Sequence, residues 1–273
     1  MHDAQVEPGF VGEESTRGRG LGLAVGREVD VVPAGEEIEF VPLGTSVTEQ
    51  YQIGHGASVT TPGDPWFSGT SRARLGLMLR DVPAAMAARM AELEARDAAD
   101  RTDGTAHLAR LRQVPRATGE FLALLCAAAP PGPAIEIGTS AGYSAMWLAL
   151  ACRATRRRLT SYEVLAEKVE LARETLRLAE IEDVVEVVHG DFRDDASRWR
   201  GVGFCFLDAE KDVYDDCYDL VVTAMAPGGL IVADNVISHA AELETFVARV
   251  LADERVDALV VPMGKGELVA RRR

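Results

Sequence analysis

The sequence predicts an α/β fold, a doubly wound sheet of about seven strands with a terminal hairpin, preceded by helices. Three observations carry this. From Ala134 onward, short apolar runs alternate with helix-length segments whose apolar residues recur three and four positions apart. Pro- and Gly-rich breaks separate them, as at Pro130-Pro131-Gly132-Pro133 and Pro227-Gly228-Gly229. The chain ends in two strand-like runs flanking Gly264-Lys265-Gly266, a hairpin signal.

Residues 1–70 are rich in Gly and Pro, with only short strand-like pieces such as Val29–Val32 and Ile38–Val41. They are expected to be a poorly ordered extension or a small β appendage, leaving residues 71–273 as the main domain. At Asp81 the composition turns Ala-rich: a capping Asp81, an early Pro83 and the shared face of Met86, Met90 and Leu93 read as a helix. After the break at Asp103-Gly104 a second helical piece is expected over Thr105–Arg112, and a third from about Arg116 to Ala128. These precede the first good strand, so they cannot be crossovers and should pack across the edge or mouth of the sheet. Strands follow at Ala134–Ile137, Arg158–Tyr162, Val184–His189, Phe204–Leu207 and Leu230–Ala233. Between them lie a helix over Ala141–Cys152, one carrying Leu165, Val169, Ala172 and Leu176, a short polar helix after His189, and a helix-length segment before Pro227. A last helix places Leu243, Phe246, Val247, Val250 and Leu251 on one face.

Bulk composition narrows the function. The 273 residues are 47% hydrophobic and 26% charged, which allows a sizeable core. A net charge of −14 argues against a protein that tracks a phosphate backbone, so nucleic acid is not an expected partner. Cys126, Cys152, Cys205 and Cys217 lie in apolar segments without CxxC spacing; this argues against a zinc site or redox dithiol and suits buried thiols. No apolar run approaches the roughly 20 residues of a membrane span. The start, MHDAQVEPGFVGEE, lacks the regions of a signal peptide, so a cytoplasmic location without membrane partners is expected.

Residues 203–236 hold the candidate reaction centre. The runs Phe204–Leu207 and Leu230–Ala233 end in Asp208, with Lys211 close behind, and in Asp234-Asn235. Parallel strands of a βαβ unit end at the same edge, so three oxygen ligands and a lysine converge where open α/β sheets bind ligands. The first strand–helix junction, Glu136-Ile137-Gly138-Thr139-Ser140-Ala141-Gly142, lets the backbone turn tightly at Gly138 and Gly142. Its GxxxG spacing is not that of a dinucleotide fold, and Glu136 would repel a pyrophosphate but suits an ammonium group. Glu163 ends the second strand, where an acidic residue accepts from ribose hydroxyls, and Asp191 ends the third, where it can accept from an adenine amine. A nucleoside with a cationic amino-acid tail, S-adenosylmethionine, fits these residues. His189 reads better as a packed strand-end residue than as a ligand.

In combination, the segments VPRATGEFLALL, AIEIGTSAGYS, SYE, HGD, FLDAEKDVY, GGLIVADN and GKGELVA resemble the cation-dependent O-methyltransferases of the class I S-adenosylmethionine fold. That group includes the catechol and caffeoyl-CoA enzymes and many bacterial members. The resemblance runs from about Val114 to Arg271 and more weakly back to Asp81. It implies a Rossmann-like sheet of seven strands, the last antiparallel, and a homodimer as in many bacterial members. It makes Asp208, Asp234 and Asn235 the ligands of a divalent cation, and Lys211 the catalytic residue, the base near the acceptor hydroxyl. It places Val114, Glu136, Gly138, Gly142 and Ser144 around the methionine part of the cofactor, Glu163 at the ribose, and Asp191 with Phe192 at the adenine, with Asp208 at the border of cofactor and metal. After Asn235 the chain reads Val236-Ile237-Ser238-His239, without the Trp-Gly type of loop common among caffeoyl-CoA-like members, so the acceptor stays open.

A phenolic hydroxyl, with a pKa near 10, is a poor nucleophile until it loses its proton. Mg²⁺ suits two aspartates and an asparagine, whereas zinc favours His or Cys. Lys211 could take the proton or stabilise the phenolate as a cation, and His239 could touch the acceptor or merely start a helix. The expected activity is therefore methyl transfer to a hydroxyl of a small, catechol-like phenol. The alternatives are a metal-independent small-molecule methyltransferase and a cofactor-binding interaction protein without turnover.

Overall fold

The structure is a computed structural model that describes residues 79–273, so the expectation for residues 1–70 lies outside the described residues. Two helices, α1 (Ala84–Asp100) and α2 (Arg116–Ala128), lead into β1 (Ala134–Ile137). Alternation then runs α3 (Tyr143–Thr155), β2 (Leu159–Glu163), α4 (Ala166–Leu178), β3 (Val185–His189) and the short α5 (Phe192–Asp195). It continues with β4 (Val202–Leu207), α6 (Tyr214–Ala224), β5 (Met225–Ala233), α7 (Ala240–Leu251), β6 (Val256–Val261) and β7 (Glu267–Arg272). Among the described residues no helix is long and apolar enough to cross a membrane.

The seven strands are ordered β3-β2-β1-β4-β5-β7-β6. β1 to β5 are mutually parallel, and β7 runs antiparallel to both β5 and β6. The expected doubly wound, seven-stranded sheet with a terminal antiparallel hairpin is therefore present. Strand order reverses between β1 and β4, and that switch point opens a crevice beyond their carboxyl ends.

Side chains alternate across the sheet and divide the core in two. Ala134, Phe204 and Phe206 face α1 to α4, with Met86, Met90, Leu122 and Trp147. Ile135, Ile137, Cys205 and Leu207 face α5, α6 and α7, with Phe192, Tyr218, Phe246 and Val250. All four cysteines are buried and free. α3 is buried from Tyr143 to Cys152 because α2 covers the side that the sheet does not, hence its nearly continuous apolar sequence. Full burial of one such aromatic or aliphatic side chain contributes roughly 1.5–3 kcal/mol.

Three local expectations need correction. Thr105–Arg112 is not a helix: only His107–Ala109 makes a 3-10 turn. Its backbone partners lie elsewhere in the fold, since Leu111 N donates to Asp100 Oδ2 at 3.1 Å and the Leu111 carbonyl accepts from Ser140 Oγ at 2.7 Å. Arg112 then turns the chain with φ 52°. Asp81 does not cap α1; Pro83 stands at the N-cap, where no N–H is needed. β5 begins at Met225, before Pro227-Gly228-Gly229. Met225 pairs with Val202 and Leu230 with Phe204, so the intervening residues bulge and the missing Pro227 N–H costs no ladder bond.

Candidate active site

Register brings the predicted residues together. Leu207 pairs with Ala233 and Ile137 with Leu207, so the residues after β1, β4 and β5 emerge side by side. The ladder continues one step further: Gly138 N donates to Tyr162 O at 2.9 Å, Asp208 N to Ile137 O at 2.9 Å and Asp234 N to Leu207 O at 3.0 Å. The approach is so close that a Cβ on Gly138, which has φ 103°, would stand 2.1 Å from the Asp208 carbonyl oxygen. Only glycine satisfies both constraints.

One corner of the crevice is the Gly138–Gly142 loop. Gly142, at φ 83°, precedes α3, and Ser140 is held at φ 47°. Ser140 N donates to Glu163 Oε2 at 2.8 Å and Leu165 N to Glu163 Oε1 at 2.9 Å, so Glu163 joins the loop to the start of α4. Each carboxylate oxygen retains a second lone pair. Glu136 is 0% exposed in β1; its Oε2 accepts from Ser161 Oγ, and its Oε1 has no hydrogen-bond partner among the described residues. Burial pushes its carboxyl up to about 7, with the Asp208 and Glu163 charges adding to the rise and the Ser144 and Ser161 hydroxyls holding it back. A buried carboxyl with an unpartnered oxygen beside a loop rich in positive φ fits the ammonium end of S-adenosylmethionine. Val114 and Ser144 are buried nearby in sequence order, ahead of α2 and in the first turn of α3.

The residues expected at the adenine are arranged differently from the plain sequence picture. Asp191 caps α5 by accepting from Arg193 N at 2.9 Å, and it also grips the Arg193 guanidinium, with Nη2 to Oδ2 at 2.7 Å. That partner holds its carboxyl below the ordinary range. Phe192 is buried and meets Tyr162 edge-on, with centroids 5.4 Å apart, so its ring belongs to the core beneath the strand ends.

The second corner contains Asp208, Asp234, Asn235 and Lys211. Asp234 is 0% exposed; Oδ1 accepts from Asn235 N at 2.6 Å, while Oδ2 has no hydrogen-bond partner among the described residues. Asn235 takes up φ 69° and its Nδ2 is buried without a partner. Burial, then the charge of Asp208, push the Asp234 carboxyl above its ordinary value. Among the described residues no three His, Cys, Asp or Glu side chains gather as a metal site; the set here is two carboxylates and an amide. Hard oxygens, an unpartnered buried carboxylate oxygen and mutual repulsion between Asp208 and Asp234 fit a divalent cation of the Mg²⁺ type.

Lys211 begins a 3-10 turn before α6. Its Nζ donates to Tyr214 Oη at 2.7 Å, Ala209 O at 3.0 Å and Asp208 Oδ1 at 3.3 Å. His239 lies at the N-cap of α7, its Nδ1 3.0 Å from Ser238 Oγ.

Sequence reasoning missed two residues of this corner. Tyr214 is fully buried, and its hydroxyl also reaches the carbonyls of Asp234 at 3.1 Å and Leu207 at 3.3 Å, so it ties Lys211 to both strand ends. Glu267, at the start of β7, is 0% exposed, and neither oxygen finds a hydrogen-bond partner among the described residues. Burial and then the Asp234 charge push its carboxyl well up. The signal for Tyr214 was its position three residues after Lys211; for Glu267 it was a carboxylate inside an apolar strand pattern.

Known proteins resemble this chain in sequence and in fold. A family model described as O-methyltransferase matches residues 94–273. A catechol O-methyltransferase of Mycobacterium tuberculosis is 35% identical over 121 residues, covering 44% of this chain and 54% of that protein. One of Niastella koreensis is 30% identical over 162 residues, covering 53% and 73%. An O-methyltransferase of Aspergillus flavus is 28% identical, covering 52% and 66%, so the chain spans about half to two thirds of the length of these first relatives except the Niastella protein. An O-methyltransferase from Bacillus cereus, solved in complex with SAH, superposes with a TM-score of 0.58 at 24% identity, covering 68% of this chain and 91% of that one. That last likeness speaks for the fold.

Proposed function

The chain belongs to the O-methyltransferase family, and on that premise we propose that it transfers a methyl group from S-adenosylmethionine to a hydroxyl of a small, catechol-like phenol with the help of a divalent cation, Mg²⁺ by the hardness of its ligands. The observation that carries the reading is the buried Asp234, whose Oδ2 lacks a partner while Asp208 and Lys211 stand beside it. The catechol O-methyltransferase relatives support the acceptor class.

Asp208, Asp234 and Asn235 would hold the cation. When bound, it supplies Lewis acidity and a template for two adjacent acceptor oxygens. Glu136 and the Gly138–Gly142 loop hold the amino-acid end of the cofactor, and Glu163 accepts from its ribose. Lys211 places a positive charge at the edge of Asp208. Its three N–H groups already meet three acceptors, which favours a fixed cation that stabilises the phenolate, with the hydroxyl proton passing to water, over a base that removes the proton itself. Methyl transfer is then an in-line displacement governed by positioning. The negative total charge favours a small acceptor over a nucleic acid.

The Asp208–Lys211 ion pair at 3.3 Å favours a second reading, because Lys211 partly compensates Asp208 without a cation. In that metal-independent enzyme the two aspartates serve cofactor binding or structure. One assay separates the readings: labelled S-adenosylmethionine with catechol-type acceptors, with EDTA and with added Mg²⁺. Label transfer abolished by EDTA and restored by Mg²⁺ is expected. Transfer indifferent to chelation would leave the metal-independent reading.

A further inference from the structure

Lys168 is a buried lysine that the activity above does not use. It lies in the first turn of α4, is 7% exposed, and makes no direct ion pair among the described residues. Its Nζ donates to Arg110 O at 2.6 Å and lies 3.4 Å from both Ala109 O and Ser140 Oγ. Those carbonyls belong to the strap between α1 and α2, and Ser140 is the middle of the Gly138–Gly142 loop. Ser140 Oγ in turn donates to Leu111 O at 2.7 Å. Glu163 closes a ring by holding both Ser140 N and Leu165 N. Loop, strap and α4 are thereby fastened to one another around the corner where the ribose would lie.

The strap has other attachments too, beginning with Leu111 and Val114, which are buried in the core. Leu111 N and Gln113 N are held by Asp100 and Asp97 of α1, and Arg112 reaches Glu210 at 2.7 Å through a largely exposed ion pair. Such an exposed pair holds weakly. Lys168 and Ser140 are therefore the buried connection between strap and cofactor loop. A lysine desolvated against main-chain carbonyls is a costly way to fill space on a helix, and an apolar residue would pack there without the burial penalty.

We propose that Lys168 is a positioning residue for the cofactor: by clamping Ala109–Leu111 onto Ser140 it fixes the loop and sets how tightly S-adenosylmethionine and its demethylated product SAH are held. This rests on the reading of the Gly138–Gly142 loop as the cofactor site. Affinity for a pre-shaped site falls in proportion to the fraction of time the shape is present.

The test uses the full chain and two readouts: calorimetric titration with SAH, and amide hydrogen exchange over residues 107–114 in the cofactor-free protein. Lys168→Met is expected to weaken SAH about tenfold and to speed exchange in the strap, with Lys168→Arg restoring affinity to within about threefold. If Lys168→Met does not fold, Ser140→Ala serves instead, with SAH about threefold weaker and the same faster exchange expected. A folded Lys168→Met with SAH affinity within twofold of the natural chain, unchanged strap exchange, or an Arg variant no better than Met would each overturn the proposal. A natural chain that does not bind SAH, with the strap still loosened by Lys168→Met, would sink the cofactor reading and the affinity role built on it, while leaving the clamp itself standing.

Discussion

The two corners of the crevice satisfy their carboxylates in opposite ways. Glu163 meets two backbone N–H groups at 2.8 and 2.9 Å, and Ser140 is fastened through both its amide and its hydroxyl. Across the crevice, Asp234 Oδ2 and both oxygens of Glu267 are buried with no hydrogen-bond partner among the described residues. The Asp208 charge pushes the Asp234 carboxyl up, and Glu267, buried beside Asp234, is pushed up to about 9 and so keeps its proton at neutral pH. The first corner is a frame rigid enough to pre-shape a binding loop. The second gathers the charges of Asp208 and Asp234, which Lys211 and the more distant Lys265 partly compensate among the described residues. On the function proposed above, scaffolding concentrates on the cofactor side and reactivity on the acceptor side.

That contrast predicts that mutations sort by corner. Asp234→Ala should lower kcat/KM for a catechol acceptor by roughly a thousandfold while leaving SAH affinity within about threefold in calorimetry; matched losses in both would erase the division. Lys211→Met should cost about a hundredfold in kcat, read at saturating cofactor, with cofactor affinity again preserved. Glu163→Ala should do the reverse. With two backbone donors left without their acceptor, SAH affinity should fall about tenfold, while Mg²⁺ affinity should hold.

The smallest effect concerns pH. The Glu136 carboxyl sits at about 7 in the fold against 4.5 ordinarily. A raised folded value means that the native state holds the proton more tightly. Its contribution to stability is then fully present below about 4.5 and is lost as pH rises through about 7. The change amounts to at most about 3 kcal/mol across that window. Melting of the cofactor-free protein should therefore fall between those pH values, and Glu136→Gln should flatten the fall. An equal slope in both proteins would show that Glu136 is not the group responsible.

Much of the crevice was legible because it sits where short apolar runs end. Glu136, Glu163, Asp208 and Asp234 each stand at or just after the end of a strand, and parallel strands of one sheet bring such ends to one edge without further information. What was not legible depends on contacts distant in sequence. Thr105–Arg112 carries a helical composition, yet its carbonyls and amides go to Lys168, Ser140 and Asp100, and no local pattern announces that. Glu267 looked like one more polar residue in a hairpin until pairing of β7 between β5 and β6 placed it inside. Asp191 is the opposite case: its grip on Arg193, two residues on, is a local cap motif, and it leaves that carboxylate more occupied than a free adenine acceptor would be.

The central claim is that Asp208, Asp234 and Asn235 form a divalent-cation centre in the acceptor corner. Calorimetric titration of Mg²⁺ into the SAH-loaded natural chain and into Asp234→Ala tests it most directly. One binding event in the natural chain, weakened by about a hundredfold or more in the variant with SAH still bound, is the predicted result. Equal Mg²⁺ binding by both proteins, or no binding by a natural chain that still methylates catechol in EDTA, would contradict it.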